Sequence, residues 1–393
     1  MLRQHAGTAL YVRPVAWTDL HTKLLGARFR ELPPCDAPVP ANRPGSAPSR
    51  GHMWPSGTIL SLSEALTQII LPSPGLVPFS SPGSRAVHSV LSILWPGPFQ
   101  QPNRRFLLHL FVGDRLYRNA VRTPMLWDYP AAGSSCPSSS SSGPHADPRL
   151  RHRPMMCYVD REQLTAMRQQ LWYTPPAPHG SPNLPVSRLH RVRSRALMPA
   201  NPDLDVQIVA MFLAMAQKHF YPEPRDDAPE PNESWCPPDA DPPALDFHDL
   251  KLRILSRDSR TAEFILYTGY VTAKFLERFH NPREAPLDED GNVPGLRIEY
   301  ARVPIWPILG LRERLGRALG EDIVGPFDPT EMETWEFDKG EERAAQGSDK
   351  RKREAPLPTL DKSFEDASDG ERPGHASGKR RRVGTTRVLR LAV

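Results

Sequence analysis

Cysteine is scarce in this chain. Four residues in 393, Cys35, Cys136, Cys157 and Cys236, are widely scattered, and none stands at metal-ligand or redox spacing to another. That argues against a disulfide framework and against a structural zinc site, both of which need closely spaced or regularly repeated thiols. Long apolar runs are missing too. The longest, Ile208 to Ala216, is about half of what a bilayer requires and lies in a segment with helical spacing, so it reads as a buried helix. No membrane association is expected. The first residues, Met1-Leu2-Arg3-Gln4-His5-Ala6, lack the apolar core of a secretory signal. A reducing compartment follows as the expectation, with the sequon Asn232-Glu233-Ser234 unglycosylated.

The usual catalytic signatures are absent as well. There is no Gly-x-Ser-x-Gly elbow, no phosphate loop ending in Gly-Lys-Ser/Thr and no dinucleotide glycine fingerprint. His179, His190, His219, His248 and His280 show no i,i+4 pairing and no cysteine at ligand spacing. The sequence therefore assigns no catalytic, cofactor-binding or metal-ligating residue, and no cofactor is expected.

What is abundant is proline, 46 residues against 25 glycines, with a hydrophobic share of only 39%. Such a composition implies one real core and much loose chain. Residues 1 to 150 alternate short apolar pieces with proline clusters such as Leu32-Pro33-Pro34 and Leu71-Pro72-Ser73-Pro74-Gly75, and end near the serine tract Ser138 to Ser142. They read as mostly disordered, apart from two segments of helical character. One is Ile59 to Leu71, with Leu62, Ala65, Leu66 and Ile69 in a stripe; the other is Arg105 to Tyr117.

Regular patterning begins near residue 155 and defines one small α+β domain at 155–328. Met156 to Val159 reads as a strand, and Asp160 with Gln163 has the form of a capping box opening a helix to about Trp172. Asn201-Pro202-Asp203 starts a second helix carrying Val206, Val209, Phe212, Leu213 and Phe220, the expected centre of the core. Residues 222 to 246 are proline-rich and acidic and read as a solvated insertion.

Leu250, Leu252 and Ile254 alternate with Lys251 and Arg253, and Ser256 to Arg260 separates them from Glu263 to Tyr267, the pattern of an antiparallel β-hairpin. A helix with Phe275, Leu276 and Phe279, a strand at Leu296 to Val303 and a helix at Ile308 to Leu319 follow, the last with Glu313 and Arg317 on its wet side and Gly320 at its end. About four helices are thus expected around the hairpin.

Net charge is +5, but Gly340 to Val393 holds 13 Lys/Arg against 9 Asp/Glu. The excess of base therefore belongs to the tail, which reads as a disordered charged segment from 329 onward. Within it, Lys350-Arg351-Lys352-Arg353 and Lys379-Arg380-Arg381-Arg382 are compact basic clusters that an acidic groove on a nuclear import receptor would bind.

A third basic stretch lies inside the domain: Arg188, Arg191, Arg193 and Arg195. If extended, the last three project from one face about 7 Å apart, a spacing suited to phosphates or an acidic partner strip. The bland alternative is a solvated loop whose arginines pair with the acidic insertion. A remaining constellation is Asp249 and Glu263, with Lys251 nearby, which occupy roughly the strand positions of metal-dependent nuclease carboxylates. The position two after Glu263 is Ile265, however, where that chemistry wants lysine. Trp172-Tyr173-Thr174-Pro175-Pro176 and Pro304-Ile305-Trp306-Pro307 set tryptophan beside proline, either as a peptide-binding ledge or, more ordinarily, as loops packed on the core.

The stretch from Cys157 to Asp328, through Asp249-Leu250-Lys251-Leu252, Phe275-Leu276-Glu277-Arg278-Phe279 and Val303-Pro304-Ile305-Trp306-Pro307, resembles uncharacterised proteins of filamentous fungi. The resemblance implies a lineage and no activity. The expectation from sequence is a nuclear, non-enzymatic interaction or regulatory protein whose partner is a protein or a chromatin-associated factor. Direct nucleic-acid binding through Arg188 to Arg195 is the first alternative, and a metal-dependent nuclease or other hydrolase using Asp249 and Glu263 the second.

Overall fold

The computed structural model describes residues 12–35, 56–71, 82–129, 153–172, 180, 183–223, 244–258, 260–284, 286–287 and 291–329. Seven strands form one mixed sheet: β1 (Arg28–Glu31), β2 (Asn103–Val112), β3 (Arg115–Asp128), β4 (Pro154–Asp160), β5 (Leu250–Asp258), β6 (Glu263–Val271) and β7 (Arg297–Pro304), in the order β1-β7-β6-β5-β4-β3-β2. β1 is parallel to β7 and β4 to β5, and the other neighbours are antiparallel. Strands β1, β7, β5, β4 and β2 therefore point one way. Their carboxyl ends make a common rim.

Helices cover both faces. On one lie α1 (Asp19–Leu25), α5 (Arg161–Gln170), α7 (Val206–Gln217) and α8 (Ala273–His280), packed on Leu252, Ile254, Ile265, Tyr267 and Ile298. On the other lie α2 (Gly57–Ile70), α3 (Pro82–Leu94), α4 (Pro96–Phe99), α9 (Leu311–Leu319) and α10 (Glu321–Val324), packed on Met156, Tyr158, Leu255, Leu266 and Val303. Every residue of α7 is buried, as its apolar run anticipates. The sequence opens this helix too early: Asn201 caps a separate 3-10 turn at Pro202–Leu204, and Asp205 is the cap of α7, accepting from Gln207 N. α7 approaches β6 so closely that a Cβ on Gly269 would stand 2.6 Å from the Phe212 ring.

The fold is α+β, but it is larger than the sequence suggested. The segment before residue 130 supplies three strands and four helices, where disorder was the expectation. Several of its prolines border elements: Pro33 and Pro34 follow β1, and Pro82 and Pro96 open α3 and α4, where the missing N–H costs nothing, while Pro124 lies within β3. The segment expected at Ile59 to Leu71 is helical up to Ile70, with Leu71 as its C-cap, and Leu62, Ala65, Leu66 and Ile69 are its buried residues. Arg105 to Tyr117 is not a helix. It forms the β2–β3 hairpin around Gly113, whose φ of +61° permits the turn. Residues 224–243 of the acidic insertion, and the tail from 330, lie outside the described residues.

Two further differences concern charge. The β5–β6 hairpin runs from Leu250↔Val271 to Asp258↔Glu263, so Ser256, Arg257 and Asp258 are strand, not turn. Arg257 is buried against the Asp160 carboxylate at 3.1 Å and Glu162 at 3.3 Å, which neutralises it in the core. Glu313, placed by its spacing on the wet side of α9, is buried beside Arg314, whose guanidinium is anchored by the Pro304, Pro307 and Leu309 carbonyls.

Candidate functional site

Arg188, Arg191, Arg193 and Arg195 lie on a helix, α6 (Leu184–Ala196), and not on extended chain or a loop. Asn183 caps it, accepting from Val186 N at 3.4 Å, and Pro185 sits in the first turn. Val186, His190 and Ser194, four residues apart, turn inward. The extended spacing of the three arginines is thereby replaced. At 100° per residue, Arg188, Arg191 and Arg195 fall within a sector of about 60° and span about 10 Å of axis. Arg193 points elsewhere and lies 5.3 Å over the Trp172 ring.

All four arginines are exposed, no acidic residue occurs from 183 to 200, and none of the four forms an ion pair among the described residues. Beside the basic stripe the helix also exposes Leu184 (58%), Val192 (64%) and Leu189 (47%). At its C-terminal end Leu197, Met198 and Pro199 border a cavity of about 140 Å3 shared with Trp17, Leu20 and the buried Arg168. A surface that is basic and apolar together, on a rigid helix, is suited to docking rather than to chemistry.

The carboxyl rim of the sheet is the second concentration of charge. Arg161 binds Asp203, donates to the Tyr267 hydroxyl at 2.7 Å and reaches Asp258 at 3.5 Å. Arg302 binds Asp203 and Glu263, the latter at 3.0 Å, and lies 3.7 Å from Asp258 and 3.6 Å from Glu31. Burial pulls the Arg302 guanidinium down, but its hydrogen bonds to Glu263 and Asp203 outweigh this and hold it above its ordinary value. Tyr300 donates to Glu31 at 3.1 Å, and burial together with that carboxylate pushes its hydroxyl up to about 12. Two guanidinium groups thus occupy the space among four carboxylates. The two guanidinium groups offset half of that negative charge, and the cluster ties β1, β5, β6 and β7 to the turn before α7.

Asp249 and Glu263 are not brought together. Glu263 stands opposite Asp258 at the rim, whereas Asp249 precedes β5 at the other end of the hairpin, roughly 30 Å away at the usual strand rise. Asp249 instead accepts from Ala273 N at 2.8 Å, and Lys251 faces Asp322 at 3.8 Å. Among the described residues no group of three or more His, Cys, Asp or Glu is placed to hold a metal ion.

The histidines do converge, which their spacing gave no sign of. His219, His248 and His280 gather around Phe220, Tyr221 and Phe247, with the Tyr221 hydroxyl hydrogen-bonded to His280 Nδ1 at 3.0 Å. His219 Nε2 donates to the Pro154 carbonyl at 2.7 Å, and burial holds the ring down to about 4 despite that bond. Aromatic rings pack around all three, and the cluster reads as packing beside residues 223 and 244, which flank the 224–243 segment. His179 and the basic clusters at 350–353 and 379–382 lie outside the described residues. Of the two tryptophan–proline junctions, Trp172 is partly buried under Arg193, while Trp306 is 42% exposed.

Comparison with known proteins finds no family model, no curated protein and no solved structure that matches this chain.

Proposed function

We propose that this chain is a non-enzymatic interaction protein of the nucleus, in which α6 is the docking element for a protein partner bearing an acidic strip with apolar side chains. One observation carries the reading: an exposed helix presents Arg188, Arg191 and Arg195 in one stripe, without acidic neighbours, beside exposed Leu189 and Val192. Solvated arginines alone would be unremarkable, but bare leucine and valine on the same helix cost apolar exposure that a partner would relieve, roughly 1 to 2 kcal/mol each when fully covered. Entry to the nucleus is assigned to Lys350 to Arg353 and Lys379 to Arg382, through an import receptor.

The test is affinity purification of the tagged full chain from nuclear extract, with and without nuclease, alongside the variant carrying Arg188→Glu, Arg191→Glu and Arg195→Glu. Partners that survive nuclease and vanish with the variant support the reading. Partners that persist with the variant remove α6 from it.

Nucleic acid is the second reading, because the stripe offers about one cation per helical turn, the kind of spacing that tracks phosphates. It predicts partners lost to nuclease and an affinity that falls steeply with salt. Affinity unchanged at moderate salt would leave the protein reading alone.

A further inference from the structure

α6 offers a partner a row of guanidinium groups and a row of bare aliphatic side chains, so its complement is a segment that alternates carboxylates with large apolar residues. The chain itself contains one. One residue beyond Pro329, the last described residue, begins Glu331-Met332-Glu333-Thr334-Trp335-Glu336-Phe337-Asp338, in which four acids alternate with Met, Trp and Phe and no base intervenes. Charge and apolar character both match. The exit point decides which α6 it meets. Phe327 packs against Gly316 of α9, where a Cβ would stand 2.8 Å from its ring, so the chain leaves on the α9 face of the sheet. α6 lies on the other side, bordering a cavity with Trp17 and Val206 of the opposite core. A segment this short would have to round the sheet to reach its own α6.

We propose that Glu331–Asp338 of one chain docks on α6 of a second copy, carboxylates against Arg188, Arg191 and Arg195 and Trp335 or Phe337 against Leu189 and Val192. This rests on the reading of α6 as the docking element and names its occupant. Self-association through this contact would compete with any outside partner for the same helix. So small an interface belongs to weak, reversible association, with Kd on the order of micromolar.

Sedimentation velocity of the full chain over a concentration series at low salt reads the result. The wild-type chain is expected to dimerise with rising concentration. Trp335→Ser with Phe337→Ser, or the triple Arg188→Glu, Arg191→Glu, Arg195→Glu, is expected to weaken the dimer by about tenfold or more. Joining that triple to Glu331→Lys, Glu333→Lys and Glu336→Lys is expected to restore association, which neither misfolding nor general loss of charge would do. A wild-type chain that stays monomeric throughout, or a dimer indifferent to the Trp335 and Phe337 substitutions, overturns the proposal. The two ideas separate cleanly: if the tail substitutions change nothing while the arginine triple still loses its nuclear partners, the occupant falls and α6 remains the docking element.

Discussion

Arg168 of α5 grips Asp205 with both ends of its guanidinium, at 2.7 and 2.6 Å, inside the protein. The same carboxylate caps α7 by accepting from Gln207 N at 2.9 Å. One side chain therefore fixes the start of the central helix and also ties α5 to it.

Removing one partner strands the other in the core. Arg168→Ala is expected to destabilise the domain by about 3 to 5 kcal/mol, measured as the shift in the urea midpoint by circular dichroism. The double substitution Arg168→Met, Asp205→Asn should cost clearly less, since no unpaired charge remains. Equal losses for the two variants would show that the arginine acts through packing instead.

Gly269→Ala drives a methyl into the Phe212 ring of α7, where the space is already 2.6 Å. The fully buried helix has no room to retreat. A loss of about 1 to 3 kcal/mol is expected by the same measurement, and Phe212→Leu on top of it should recover part of that loss.

His219 gives stability a pH dependence whose sign is fixed by burial. Its folded pKa is held down from 6.5 to about 4. The unfolded chain therefore takes up a proton first, so the contribution is fully present above pH 6.5 and is lost as pH falls from 6.5 toward 4, by about 3 kcal/mol at most. Denaturant midpoints taken between pH 7 and 4 should fall for the wild-type chain and fall less for His219→Gln. Parallel slopes would assign the acid sensitivity to other groups.

Cys157 lies between Leu126 and Ile254 in the sheet, fully buried, and burial pushes its thiol well above the ordinary value. Iodoacetamide should leave it unmodified in the native protein and label it in urea, as read by peptide mass spectrometry. Labelling under native conditions would reveal opening of the sheet centre.

Residues 345–393 fused to a cytoplasmic reporter should carry it into the nucleus, and alanine at Lys350 to Arg353 together with Lys379 to Arg382 should abolish this. A reporter that stays in the cytoplasm would remove the nuclear assignment.

Local patterns proved legible wherever the cause was local. The stripe of Leu62, Ala65, Leu66 and Ile69, the Asp160 cap, the apolar Ile208 to Ala216 and the Gly320 end of α9 all appear where their spacing puts them. What could not be read was pairing across long separations. Arg257 looks like a turn residue until Asp160 meets it in the core, and nothing near Arg257 announces that acid. Pro33, Pro34, Pro82 and Pro96 resemble markers of disorder because bordering a strand or a helix leaves no periodic trace. α6 did carry its own signal in Asn183, Pro185 and the inward Val186, His190 and Ser194, but four arginines on the remaining faces masked it. The rim cluster of Arg161, Arg302, Asp203, Asp258, Glu263 and Glu31 draws on five separate stretches of chain, so no window of sequence contains it.

The pairing of β1 with β7 sets a timetable for the newborn chain. Arg28 to Glu31 find their parallel neighbours Arg297 to Tyr300 roughly 270 residues later. At ribosomal rates of about 5 to 20 residues per second, the first strand waits on the order of 15 to 50 s for β7, its one sheet neighbour among the described residues. During that interval it is an orphan edge. Its four residues, Arg-Phe-Arg-Glu, are short and charged, with both arginines and the glutamate exposed, which makes them poor bait for a passing strand. The chain begins its sheet with the piece that must be completed last, and keeps that piece too small to go astray.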